Sequence, residues 1–279
     1  LKSILSDLIS NHKEPFWILV GTAIFPIAQF LYPDLKKYFS DRIRAKKVFF
    51  ENIDAILITS DELLSKLFDM IKTDFKGTYS VRLDQEMDNN ERIYTLYLFA
   101  SFWGNIAVMR HESSFSKIAK VRIGKRFLKF LIAFESKGNN RIIDRSTQRI
   151  IGDAMLKYTS QGLSILSLYE FSNELSKADS GLRKIMLKLD EVLANSGNRK
   201  NRQKIILFGI LLKYFIDYFD PKHILTRNRY STFINKLSTK SRNELDFKIL
   251  KLYLKFIKFR KKNSYWNTKV LHIKNMFNS

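Results

Sequence analysis

Apolar and polar positions follow a helical period along nearly the whole chain. Ile53, Ile56, Leu57, Leu63, Leu64, Leu67, Phe68 and Ile71 recur at three- and four-residue steps. They predict a helix from Asn52 to about Phe75, broken by Gly77. Asp88-Asn-Asn-Glu91 reads as an N-terminal cap for a helix from Arg92 to about Phe115, rich in rings: Tyr94, Tyr97, Phe99, Phe102 and Trp103. Lys117 to Glu135 is helical by period, Lys137 to Asn140 is a loop, and Thr147 to about Leu175 reads as one long helix with an interruption near Gly162. Ser180 to Leu193 is a short amphipathic helix, Asn195 to Asn198 a turn, and Lys200 to Asp220 a helix ended by Pro221. Ile205–Leu212 is an eight-residue apolar block, too short to span a bilayer and suited to a core helix. No alternating run demands a sheet and no internal repeat is evident, so the predicted fold class is all-α, a helical bundle.

One stretch breaks the amphipathic pattern. Pro15 to Pro33 is 19 residues without a charge. As a helix it reaches roughly 28 Å, close to the hydrocarbon thickness of a bilayer. Phe16, Trp17 and Tyr32 lie near its ends, where rings favour the headgroup level. Gln29 is its one strongly polar side chain, and Pro26 is tolerated in a membrane helix when neighbours satisfy the freed carbonyl. Lys36, Lys37, Arg42, Arg44, Lys46 and Lys47 follow, against Asp34 and Asp41, whereas Lys2, Lys13, Asp7 and Glu14 cancel before it. The run therefore reads as a single-pass anchor, N-terminus outside and the bulk of the chain cytoplasmic. The competing reading is a buried core helix, for which 19 uncharged residues is long; a cleaved signal peptide lacks its basic n-region and its small-residue site. The organisation that follows is a short extracytoplasmic segment (1–14), a transmembrane and basic juxtamembrane helix (15–49), a cytosolic helical domain (50–221) and a basic helical extension (222–279).

Charge sharpens the picture at the C-terminus. The chain carries a net +22, and residues 221–279 alone hold 15 Lys/Arg against 2 Asp/Glu. Such a tail seeks phosphate, on anionic lipid headgroups or nucleic acid. Lys248, Lys251, Lys255, Lys258 and Lys262 step along a helix beside Leu245, Ile249, Leu252, Phe256 and Phe259. The stripe reads either as a phosphate- or headgroup-binding face or as a packed helix whose lysines face water; the width of the apolar arc favours the second.

Catalytic signals are sparse. Cysteine is absent, which removes disulfides, cysteine-based zinc sites and a thiol nucleophile. His12, His111, His223 and His272 form no metal-ligand spacing, and Gly138 and Gly152 belong to no phosphate loop, so no metal and no cofactor is expected. Arg110-His111-Glu112 is the one local cluster with catalytic residue types. A membrane-tethered ribonuclease would use His111 as base and Arg110 as phosphate clamp; a helix end held by ion pairs is the competing and favoured reading. Gln148-Arg149-Ile-Ile-Gly152 is a second cluster, in which Gly152 offers a place for another helix to approach, and Arg149 has Glu112 or Asp153 as plausible partners.

The string Tyr94 to Glu112 resembles the hallmark helix of a widespread bacterial family with one N-terminal membrane helix and a cytosolic helical domain. Gln148 to Gly152 and Ile216-Asp-Tyr-Phe-Asp220-Pro221 are similar to its other two recurring strings, so the resemblance covers residues 15–221. The layout is also similar to the membrane accessory protein of RNA-targeting type VI-B CRISPR systems, whose helical domain is of the HEPN type. This chain is longer and lacks the Arg-to-His spacing of helical ribonucleases. The resemblance implies an inner-membrane homo-oligomer, a pore-forming or membrane-disturbing effector in antiphage defence, with the bilayer and RNA or an RNA-guided effector complex as partners. The alternative is a membrane-tethered nucleic-acid-binding module acting through the basic extension.

Overall fold

No glycine or proline interrupts residues 34–75, and the helix there has nothing to stop it. Helix α1 runs Lys13–Lys72 without a break. Two helices, one ending near Phe49 and one starting at Asn52, were the expectation. Asn52 instead turns its side-chain amide back onto the Val48 carbonyl at 3.0 Å, satisfying itself inside the helix. The end comes before Gly77: Asp74 and Phe75 adopt left-handed φ of 50° and 62°, and the Phe75 N–H donates to the Met70 carbonyl at 2.8 Å. The computed structural model describes residues 13–75, 90–113, 115–136, 141–160, 162–229 and 231–257, with side chains from residue 29 onward. The predicted cap at 88–89 and the loop at 137–140 lie outside the described residues, as do the side chains of Trp17 and Pro26.

The chain divides into two units, residues 1–47 and 48–279. In the first, residues 29–40 of α1 are exposed throughout. Among the described residues no helix is long and apolar enough to cross a membrane.

The second unit is built around α2, Asn90–Glu112, which is buried on nearly every side from Leu96 to Met109. Around it lie α3 (Phe115–Ile118), α4 (Arg122–Glu135), α5 (Arg145–Ala154), α6 (Leu168–Ser176), α7 (Gly181–Ala194) and α8 (Arg199–Phe219). The apolar block Ile205–Leu212 is fully buried in α8, as its length required. Phe99, Phe102, Phe127, Phe130, Phe134, Phe208 and Phe215 fill the space between α2, α4 and α8, with ring centroids 5.1–6.2 Å apart, tilted or edge-on. At the N-terminus of α2 a buried ion pair joins Arg92 to Asp190 of α7 through two hydrogen bonds.

The long helix expected from Thr147 to Leu175 is instead helix, hairpin, helix. β1 (Leu156–Thr159) and β2 (Gly162–Ile165) pair antiparallel, Leu156 opposite Ile165 and Thr159 opposite Gly162. Gly162 sits at φ +121°, a conformation no helix contains, and Met155 and Ile165 reach α2 at Gly104, where a Cβ would stand 2.9 Å from the Ile165 side chain. The fold class is therefore mostly helical, with one small hairpin.

Residues 222–257 pack into the same unit. Phe233 meets Phe68 edge-on with ring centres 4.7 Å apart, Lys236 bonds the Ile71 carbonyl and Asp74, and Asp61 receives the Arg227 N–H and the Arg229 guanidinium. The regular basic helix expected over 245–262 is, where described, a π-helix over Glu244–Leu250 preceded by the short α9 (Thr239–Asn243) and followed by turns to residue 257. Bonds of the i to i−5 kind, Lys251 N–H to Asp246 and Leu254 N–H to Ile249, lengthen the period. Leu245, Ile249, Leu250 and Leu254 are buried in consequence, and Leu252, expected on the apolar face, is exposed.

Candidate functional site

Gly152 lets α5 lie directly on α2. A Cβ there would stand 2.6 Å from the Trp103 carbonyl oxygen and 3.3 Å from the Ala107 Cβ. Asp144 caps α5, accepting from the Thr147 N–H at 2.9 Å, and hydroxyls of Ser146 and Thr147 with that N–H hold its carboxyl far below the usual carboxylate range. The cap and the glycine together fix Gln148 and Arg149 at the crossing of α2, α4 and α5.

Arg110, Gln148 and Arg149 meet there. They line one cleft with Trp103 and Glu135, floored by Phe102, Ile106, Leu131 and Phe134. Its cavity volume is about 20 Å³, room for roughly one water. Arg149 clasps Glu135 with two hydrogen bonds of 3.2 and 3.1 Å, and Arg145 adds a contact of 2.5 Å to the same carboxylate. Gln148 donates to the Ile143 carbonyl at 3.0 Å. Two buried donors that line the cleft, Trp103 Nε1–H and Arg110 Nε–H, have no partner among the described residues. The cleft has room for no more than a water-sized group. It offers neither a nucleophile nor room for a substrate.

Arg149 thus pairs with Glu135 and with neither Glu112 nor Asp153, and Asp153 is instead the partner of Arg110 and His111: Arg110 Nη1 lies 3.5 Å and His111 Nε2 3.4 Å from Asp153 Oδ1. Arg110 also lies over the Phe115 ring. This is the ion-paired helix end. Glu112 takes no part, because two residues along a helix is a rotation of about 200°. It faces a second, larger cleft of about 500 Å³ lined by Glu51, Asn52, Asn105, Ser164 and the hairpin residues Leu163 and Ile165. Nothing in the sequence pointed to that cleft, since β2 forms one wall.

Asp220 holds the turn after α8. Burial alone would raise its carboxyl, but N–H groups of Ile224, Leu225 and Thr226 and the Thr226 hydroxyl, at 2.9–3.0 Å, bring it below the ordinary value. Pro221 is exposed beside it and ends the helix. Of the lysine stripe, Lys248, Lys251 and Lys255 are exposed, and Lys258 and Lys262 lie outside the described residues. Of the anchor residues, Gln29 and Tyr32 are exposed, with Lys36 Nζ 5.9 Å from the Tyr32 ring centre. Among the described residues no group of three or more His, Asp or Glu is placed to hold a metal ion. No family model, no curated protein and no solved structure matches this chain.

Proposed function

We propose that this chain is a single-pass inner-membrane protein whose helical unit self-associates, as a pore-forming or membrane-disturbing effector of antiphage defence. The observation that carries the reading is the face α1 leaves open. Phe30 is 79% exposed and Ile43 69%, and Leu31, Tyr32, Leu35, Tyr38 and Phe39 between them are exposed as well. A helix with that many uncovered rings and aliphatic side chains needs lipid or another copy against it. The uncharged run Pro15–Pro33 leads into it, and Lys36, Lys37, Arg42 and Arg44 are interspersed at the positions that suit an anionic headgroup layer.

The test is the state of the full-length protein in mild detergent, by mass photometry and electron microscopy, with alkaline extraction of membranes and dye release from liposomes alongside. A closed oligomer that resists extraction and releases dye supports the proposal. A monomer that leaves liposomes intact at high loading overturns it.

A further inference from the structure

Several cations of the second unit are matched. Arg92 meets Asp190, Arg145 and Arg149 share Glu135, Lys157 meets Glu170, Lys213 meets Asp217, Arg229 meets Asp61 and Lys236 meets Asp74. One surface gathers cations without such partners beside exposed apolar side chains. Arg122, Lys125, Arg126 and Lys129 occupy one face of α4 at steps of three, one and three. Phe256 lies against that face, 5.3 Å from the Arg126 guanidinium and 5.8 Å from the Lys129 amine, and joins it to the C-terminal segment carrying Lys248, Lys251 and Lys255. Among the described residues none of these seven has a carboxylate within ion-pairing distance. The only acids of residues 221–279, Glu244 and Asp246, are buried and half-buried respectively.

Between those lysines two apolar side chains stand out: Phe247 is 58% and Leu252 59% exposed. Unmatched cations around protruding apolar tips are the pattern of a surface that seats in a bilayer interface, the tips entering the acyl boundary and the amines meeting phosphate. The rings also distinguish lipid from single-stranded nucleic acid. Lys251 covers Phe247 at 4.0 Å, Arg126 covers Tyr218 and Phe256 at 5.3 Å, and Lys129 also lies over Phe256. Base stacking needs open ring faces, and each of these rings has a cation over it.

We infer that the face made by α4 and residues 247–255 is a docking surface for anionic phospholipid, with Phe247 and Leu252 as its insertion points. This goes beyond the proposed anchor, which lies in the other unit and would hold the chain to any bilayer, charged or neutral.

The absence of cysteine allows a clean test. Full-length Phe247→Cys and Leu252→Cys proteins, each carrying an NBD label, are incorporated into nanodiscs of phosphatidylcholine alone or mixed with phosphatidylglycerol. Tyr158→Cys, exposed on the hairpin, is the reference. The expected result is a blue shift and rise in emission at 247 and 252 only when phosphatidylglycerol is present, lost in Lys248→Glu/Lys251→Glu/Lys255→Glu protein and in high salt. Free glycerol phosphate is expected to cause no shift, which separates a lipid surface from a phosphate site. No dependence on the anionic lipid overturns the inference, and so does a larger shift with RNA in solution. Incorporation into neutral nanodiscs reports the anchor separately, so failure of one reading is not mistaken for failure of the other.

Discussion

Gly152→Ala tests whether the crossing of α2 and α5 is what holds the candidate cleft together. The new Cβ would stand 2.6 Å from the Trp103 carbonyl oxygen and 3.1 Å from its carbon, close to 1 Å inside the roughly 3.5 Å at which nonbonded heavy atoms rest. The obstacle is backbone of a helix buried on nearly every side, so no side chain can swing away. Alanine in a helix interior contributes about 1 kcal/mol over glycine. Overpacking against a fixed neighbour costs about 1–3 kcal/mol, more when backbone must move. The net expectation is a loss of about 1–2 kcal/mol, or about 2–8 °C in melting temperature for a chain of this size. Circular dichroism gives the melt, and tryptophan emission reports the cleft through Trp103. Gly181→Ala, where an added Cβ meets nothing within 4 Å, is the control and is expected to be neutral or slightly stabilising. A Gly152→Ala protein that melts at or above the wild type refutes the reasoning.

Three further outcomes are expected. Asp190→Asn leaves the Arg92 charge buried without its carboxylate and should cost about 3–5 kcal/mol, whereas Arg92→Met/Asp190→Leu should recover most of the loss; a double variant no more stable than the single one in denaturant titration argues against it. The Asp220 carboxyl has a lowered pKa in the folded protein, so its stabilisation is complete above the ordinary carboxylate range near about 4 and fades as pH falls below it through the folded value. The melting difference between wild type and Asp220→Asn should therefore shrink below that pH, and a constant difference from neutral to acid pH counts against the assignment. Truncation after Pro221 removes Leu237, Leu245, Ile249, Leu250 and Leu254, all buried; at about 1.5–3 kcal/mol each this rivals the whole stability of a domain. The shortened protein should lose its cooperative melt, and a sharp transition would show the segment to be dispensable.

The parts of the fold legible in the sequence are those whose determinants are local. α2, α7 and α8 follow from apolar period and flanking polar turns, and Gly152 marked the close helix approach. The hairpin was not legible, because four-residue strands carry little pattern and theirs is fixed by Met155 and Ile165 reaching Gly104, some fifty residues earlier. The same holds for the cleft. Arg110, Gln148 and Arg149 were visible as unusual residue types, but Glu135 looked like one more acid at the end of a helix. Only the crossing of three helices makes it the partner of Arg145 and Arg149.

Charge shows most clearly what counting residues along a chain conceals. The tail drew attention because it holds 15 cations and 2 acids. Part of that excess is not available to a ligand, since Arg229 and Lys236 are spent on Asp61 and Asp74 and pin the segment to α1. Conversely, α4 looked unremarkable in charge, yet Arg122, Lys125 and Lys129 are exposed, Arg126 is half-buried on the Tyr218 hydroxyl, and none of the four has a carboxylate partner among the described residues. Packing Phe256 between Arg126 and Lys129 adds them to the tail's three exposed lysines. The surface proposed to attract phosphate is thus composite, half of it contributed by a helix more than a hundred residues upstream. It follows that deleting the tail cannot separate binding from folding, because the same residues supply core leucines and exposed lysines. Substitutions at the exposed positions of both segments, tested separately and together, are the experiment that can.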